Sequence, residues 1–161
     1  MTETRPWEQN GWIEQSQTIL DSYERLIGKT LIARDGSPAD QAQQLFHAPL
    51  VVVSHDTQSD PLLNYANQMA LDLWKISVPT LLKTPSRMTA EPVHRDERAK
   101  LLQRTTRDGF VDDYRGIRIA TDGQRFLIDC ATVWNLSDHQ GNHSGQAATF
   151  DKWTLLSLIH I

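Results

Sequence analysis

The chain has 161 residues, 39% hydrophobic and 22% charged, which is enough for one domain with its own core. A net charge of −4 argues against nonspecific nucleic-acid binding, and a single cysteine excludes an internal disulfide or a cysteine-rich zinc site. No apolar run approaches the length of a membrane span and Met1–Asn10 holds no signal-peptide core, so a cytoplasmic location away from membranes is expected.

Trp12 to Ile27 repeats with helical period: Ile19, Tyr23, Leu26 and Ile27 share one face, and Gly28 stands at a C-cap. That apolar face needs a partner, either its own domain or a second copy of the chain in a homodimer. Asp35-Gly36-Ser37-Pro38 is a turn, and Pro38 opens a short helix through Phe46. Pro49–His55 is a valine-rich buried strand, Asp56–Pro61 a polar turn and Leu62–Tyr65 a second strand, together a hairpin. Asn67 is placed to N-cap a helix running to Trp74, with Met69/Leu73 and Ala70/Trp74 as i, i+4 pairs. Pro79, Pro85 and Pro92 break Val78–Glu91 into short turns; a longer helix then runs from Pro92 to Asp108 and stops at Gly109.

From Gly109 to Phe150 three strand-like runs are separated by Asp122-Gly123 and Asp138–Gly141, which predicts an antiparallel meander. A two-residue turn at Asp122-Gly123 sets Ile119 opposite Phe126, Ile117 opposite Ile128 and Val111 opposite Trp134, with Asp113, Arg115, Cys130 and Thr132 on the same face. A polar centre on an apolar face has two readings. Asp113 and Arg115 form the floor of a polar ligand pocket, or a β-bulge near Gly116 flips the strand and turns Asp112 and Tyr114 inward.

The order of elements gives an α+β chain, a five-stranded antiparallel sheet with helices on one face and a helical extension before it. That order resembles the PAS fold, and Asn64-Tyr65-Ala66-Asn67 resembles the strand-to-helix step where PAS domains carry an asparagine. A more specific resemblance is to the MEKHLA family of PAS-like domains. It rests on Pro85–Pro92 (PSRMTAEP), Arg95–Arg98 with Leu101-Leu102, Gly109–Ile119, Arg125-Phe126, Val133–Leu136 and Gly145–Phe150. The resemblance implies a sensory or regulatory module, either free-standing as in bacteria or as found at the end of plant class-three homeodomain leucine-zipper factors. It carries no catalytic residues and no identified cofactor. The homeodomain and zipper are not among these residues, so no DNA-binding role transfers. The expected division is a helical extension over 1–47, the PAS-like domain over 48–152 and a tail over 153–161.

The candidate ligand-binding residues are Asn67, Arg87, Asp113, Tyr114, Arg115, Trp134 and Gln146, for a small molecule between sheet and helices. Each has a structural alternative. Trp134 is a core residue or a stacking platform, and Gln146 points into the cavity or out of it. Arg87 clamps an anion or pairs with Glu91, the pair being preferred. Arg118 and Arg125 fall on the outer sheet face, solvated, ion-paired with Asp129, or open to a protein partner. Lys100, Arg104 and Arg107 form a solvated stripe, His139 and His143 lie in a turn unsuited to metal, and Cys130 is expected to be buried and inert. A second function class is a small enzyme in which Asp113 and Tyr114 meet one substrate atom. No nucleophile elbow, P-loop or Rossmann motif supports it. A third is a structural interaction module with a filled core.

Overall fold

The computed structural model describes residues 5–156. Helix α1 (Asn10–Ile27) buries Trp12, Ile19, Leu20 and Tyr23 along one face, and Gly28 ends it in the left-handed region with its N–H on the Glu24 carbonyl. Helix α2 (Pro38–Phe46) opens with a capping box between Ser37 and Asp40. Arg34 bonds Asp21 and Glu24 of α1 and Gln41 of α2, which fixes the two helices against each other. Strands β1 (Val51–His55) and β2 (Leu63–Ala66) form the expected hairpin. Helices α3 (Gln68–Trp74) and α4 (Val78–Leu81), short 3-10 turns at Ser86–Thr89 and Pro92–His94, and α5 (Arg95–Asp108) follow. The chain closes with β3 (Phe110–Ile119), β4 (Arg125–Ser137), β5 (His143–Phe150) and β6 (Lys152–Leu155).

The sheet has the order β2-β1-β5-β4-β3, with β6 pairing the first half of β4. All these pairings are antiparallel. Trp153 to Leu155, expected as the start of a tail, therefore extend the sheet beyond β5; residues 157–161 lie outside the described residues. Helices α3 to α5 lie over one face. Helix α1 lies over the other, where Trp12 packs on Tyr65 at 4.8 Å and Tyr23 meets the edge of Trp134 at 5.0 Å. The apolar side of α1 thus finds its partner within the chain.

The β3–β4 register differs from the expected one. Gly123 N–H bonds the Ala120 carbonyl and Ala120 N–H bonds the Gln124 carbonyl, so the loop holds three residues, with Gly123 alone among them at positive φ. One extra loop residue moves the pairing by one: Ile119 faces Arg125, Arg118 faces Phe126 and Ile117 faces Leu127. A one-residue slip exchanges the faces, so Arg118 turns inward. Two bulges follow. Asp129-Cys130 opposes Arg115, with Cys130 at φ 54°, and Asp112-Asp113 opposes Thr132. The first flips β4 and the second flips β3, so Tyr114 and Val111 both reach the inner side while Asp112 stays exposed. Cys130, expected to be buried, is exposed on its bulge.

Candidate ligand cavity

Between the inner sheet face and α5 lies a cavity of about 70 Å³. Val53, Ile128, Ala148 and Phe150 give it apolar walls, and no Asp or Glu lines it. A wider groove of about 480 Å³ lies between α3, α4 and the β3–β4 turn, and shares Val53, Leu63, Trp74 and Thr89 with the cavity. Among the described residues no helix is long and apolar enough to cross a membrane, and no three His, Cys, Asp or Glu side chains converge on a metal position.

The polar side chains of the cavity come from six elements: β1, α3, the Ser86–Thr89 turn, α5, β3 and β5. Arg98 lies on α5 with Leu101, Leu102 and Thr105 at i+3, i+4 and i+7, the inward stripe of that helix. Its guanidinium donates to Ser86 Oγ, and among the described residues no carboxylate is in ion-pair contact with it. Desolvation, then the like charge of Arg118, draws it down to about 10, still cationic at neutral pH. Arg118 is 7% exposed; it stacks 5.2 Å above the Tyr114 ring and donates to the Ile117 carbonyl. Tyr114 runs along β3 toward Gly116, where any Cβ would overlap the phenol. The Tyr114 hydroxyl has no partner among the described residues, nor has Nε1 of Trp74, which lines the cavity from α3.

His55 ends β1, its Nδ1 at 2.9 Å from the Asp56 carbonyl and its Nε2 unpartnered. Donation from Nδ1 leaves Nε2 as the lone-pair acceptor of the neutral ring. Burial pushes His55 below the ordinary imidazole range; the charges of Arg98 and His143 act the same way, against the pull of Asp56. The fold thus favours neutral His55. That stability is present above the unfolded value of about 6.5 and is lost as pH falls through the folded value. His55→Gln should flatten the corresponding fall in urea midpoint between about pH 7.5 and 5; an unchanged slope would assign the acid sensitivity elsewhere.

The expected site residues divide. Tyr114 and Gln146 line the cavity. Gln146 is nonetheless committed to α5 and β4, its Nε2 donating to the Leu102 carbonyl and Thr106 Oγ1 on the helix and to Asn135 Oδ1 on the strand. Asp113 and Arg115 face solvent because the three-residue turn shifts the register by one, and they pair with Arg104 and Asp129 respectively. Asp113 is exposed and paired with Arg104, whereas Tyr114 is buried and lines the cavity, so the structure does not bring the two together at one site. Trp134 is fully buried on the α1 side, away from the cavity. Asn67 is fully buried too, but all its polar atoms serve the backbone. Arg87 pairs with Asp60, not Glu91. Glu91 is held by Arg125 through contacts of 2.5 and 2.9 Å, which pins the connector to β4 and holds the carboxyl below its usual range.

Arg98, Arg118, His55, Ser86 and Trp74 were the missed cavity residues. The Arg98 signal was present in its helical spacing to Leu101 and Leu102. Arg118 was hidden by the turn length, which the sequence leaves open.

The MEKHLA domain model matches residues 13–155, a span that begins inside α1 and reaches β6. No curated protein matches the chain. Among solved structures, a PAS domain from Colwellia psychrerythraea superposes with a TM-score of 0.60 at 13% identity, covering 73% of this chain and 94% of its own. A light-oxygen-voltage domain studied with a flavin analogue gives 0.57 at 18% identity, covering 74% of this chain and 86% of its own. The light-state dimer of the fungal blue-light photoreceptor Vivid gives 0.55 at 15% identity, covering 81% and 91%. At these identities the likeness is one of fold.

Proposed function

The chain belongs to the MEKHLA domain family, and from that premise we propose that it is a non-catalytic sensory or regulatory PAS-like domain holding a small ligand between sheet and helices. The observation that carries this reading is the set of unpartnered polar atoms on residues that line one cavity: Tyr114 hydroxyl, His55 Nε2 and Trp74 Nε1. Buried polar groups are nearly always hydrogen-bonded, and leaving one unmet costs about 1–3 kcal/mol. A cavity that leaves three unmet is suited to a partner that enters it.

Covalent flavin chemistry does not fit these residues. Cys130, the single cysteine, sits exposed on the β4 bulge and lines neither chamber. A protein partner on the outer sheet face is the weaker alternative, because α1 lies there. Homodimerisation and a cytoplasmic location belong to the proposal, the Vivid light-state dimer being a precedent within the fold. The apolar side of α1 is already used, so two subunits would meet through another surface.

Native mass spectra of protein purified from its own host test both parts. The expected spectrum is a dimer carrying a small-molecule adduct. A bare chain mass, with no thermal stabilisation by a metabolite library, would remove the ligand; a monomer at micromolar concentration would remove the dimer.

A further inference from the structure

The cavity has cations without counter-ions and, beside the unpartnered His55 Nε2, donors without acceptors. Arg98 and Arg118 both line it. The acids that could neutralise them are engaged elsewhere: Asp60 by Arg87, Glu91 by Arg125, Asp113 by Arg104 and Asp129 by Arg115. Asp60 exerts some attraction on Arg98 from the surface, but is not in contact with it. Sequestering two guanidinium groups without an anion is unfavourable, and removing one member of a buried ion pair leaves the same imbalance. The Tyr114 hydroxyl and the Trp74 Nε1–H add two further donors with no acceptor.

Resting on the small-ligand reading, we infer that the cavity binds a small organic carboxylate, its head held by Arg98 and Arg118 with the Tyr114 hydroxyl as a third donor. A carboxylate offers two oxygens and about four lone-pair sites, acceptors only, which matches the donors of Arg98, Arg118 and Tyr114. Val53, Ile128, Ala148 and Phe150 add apolar surface beside these donors, so the ligand has a hydrocarbon body. An inorganic phosphate would set bare oxygens against that wall. At about 70 Å³ the cavity is far below the roughly 300–1,000 Å³ of sites for drug-sized molecules, which calls for a short body.

The test compares sodium butanoate with butanamide, its neutral twin of nearly the same shape, and with inorganic phosphate, at constant ionic strength. Binding is read by calorimetry, by thermal midpoint and by tryptophan emission, Trp74 being part of the wall. Butanoate should bind saturably and at least about tenfold more tightly than butanamide, the factor expected of one charge-assisted hydrogen bond. Arg118→Met and Arg98→Met should each lose about tenfold or more in butanoate affinity without a fall in thermal midpoint, since methionine keeps an apolar stem and removes an unpaired charge. Arg104→Met, on the outer surface, should leave binding unchanged.

Equal binding of butanoate and butanamide, unaffected by the arginine variants, would overturn the anion class while leaving a small-ligand cavity in place. Binding of phosphate but not butanoate would overturn the carboxylate. No binding of any of the three by folded protein would overturn this inference, and the mass spectra above would decide the ligand reading separately. Should either arginine variant fail to fold, Tyr114→Phe, which removes only the unpartnered hydroxyl, and the amide comparison on the unaltered chain decide the matter.

Discussion

Asn67→Ala should lower the thermal midpoint by about 10 °C and destabilise the fold by about 4 kcal/mol. The residue has no exposed surface, and its one amide serves three segments. Oδ1 accepts from Val52 N–H at 3.0 Å and Ala70 N–H at 3.2 Å; Nδ2 donates to the Leu50 carbonyl at 2.7 Å and the Leu45 carbonyl at 3.3 Å. The end of α2, the start of β1 and the first turn of α3 thus meet on one side chain. Alanine would orphan four backbone groups, each worth about 1–3 kcal/mol when buried and unmet, with some recovered by relaxation or water. Loss of a helix cap alone would cost only about 1 kcal/mol. Asn67→Asp separates the two halves of the role: it keeps both accepted bonds but turns a carboxylate onto two carbonyl oxygens. It should be about as damaging. A shift within about 2 °C for Asn67→Ala, measured by calorimetry, would reduce the residue to an ordinary cap.

Asn67 also marks the boundary of what was legible in the sequence. Its cap on α3 follows from local pattern, as do the α1 face ending at Gly28, the Ser37-Pro38 start of α2 and the valine-rich β1. Its bonds to Leu45 and Leu50 join residues 17 or more positions away, and no local pattern specifies such contacts. Likewise Asp122-Gly123 located the hairpin without fixing its loop length, and one residue decides whether Arg118 or Ile117 faces the helices. The two bulges are harder still: Cys130 adopts a positive φ, which a non-glycine residue rarely does, and nothing in its neighbours announces it. The cavity was therefore legible as a place between sheet and helices; of the two readings of β3, the inward Tyr114 agrees with the structure, the floor of Asp113 and Arg115 does not, and Arg98 and Arg118 enter the lining unannounced. The error had one physical source, the strand register. The ion pairs failed differently. Arg87 and Glu91 are four residues apart, but a proline-broken connector does not present them like a helix, and each found a carboxylate or guanidinium from another segment.

Gly145→Ala should be comparably damaging, about 4 kcal/mol, and should also remove the cavity's His55 from its position. Gly145 lies on β5 opposite Leu136 with φ at 145°, a conformation essentially restricted to glycine. An added Cβ would overlap the His55 carbonyl oxygen, stand 3.1 Å from its carbon and 3.4 Å from the Asp56 Cα. All three obstacles are backbone, so no side-chain rotation relieves them. The end of β1 would have to separate from β5, and that is where His55 lines the cavity. Gly123→Ala is the matched control: its φ of 90° is equally foreign to alanine, but nothing lies within 4 Å of the new Cβ. It should cost only about 1–2 kcal/mol of backbone strain and leave butanoate binding intact. The difference between the two alanine variants in urea unfolding then measures the close approach of β5 to β1 apart from backbone conformation. In the His55 imidazole NMR signals, Gly145→Ala should show a shift toward the ordinary titration range and Gly123→Ala none. Equal losses of stability, with His55 unmoved in both, would mean that the strand contact at Gly145 does not hold the histidine against the cavity.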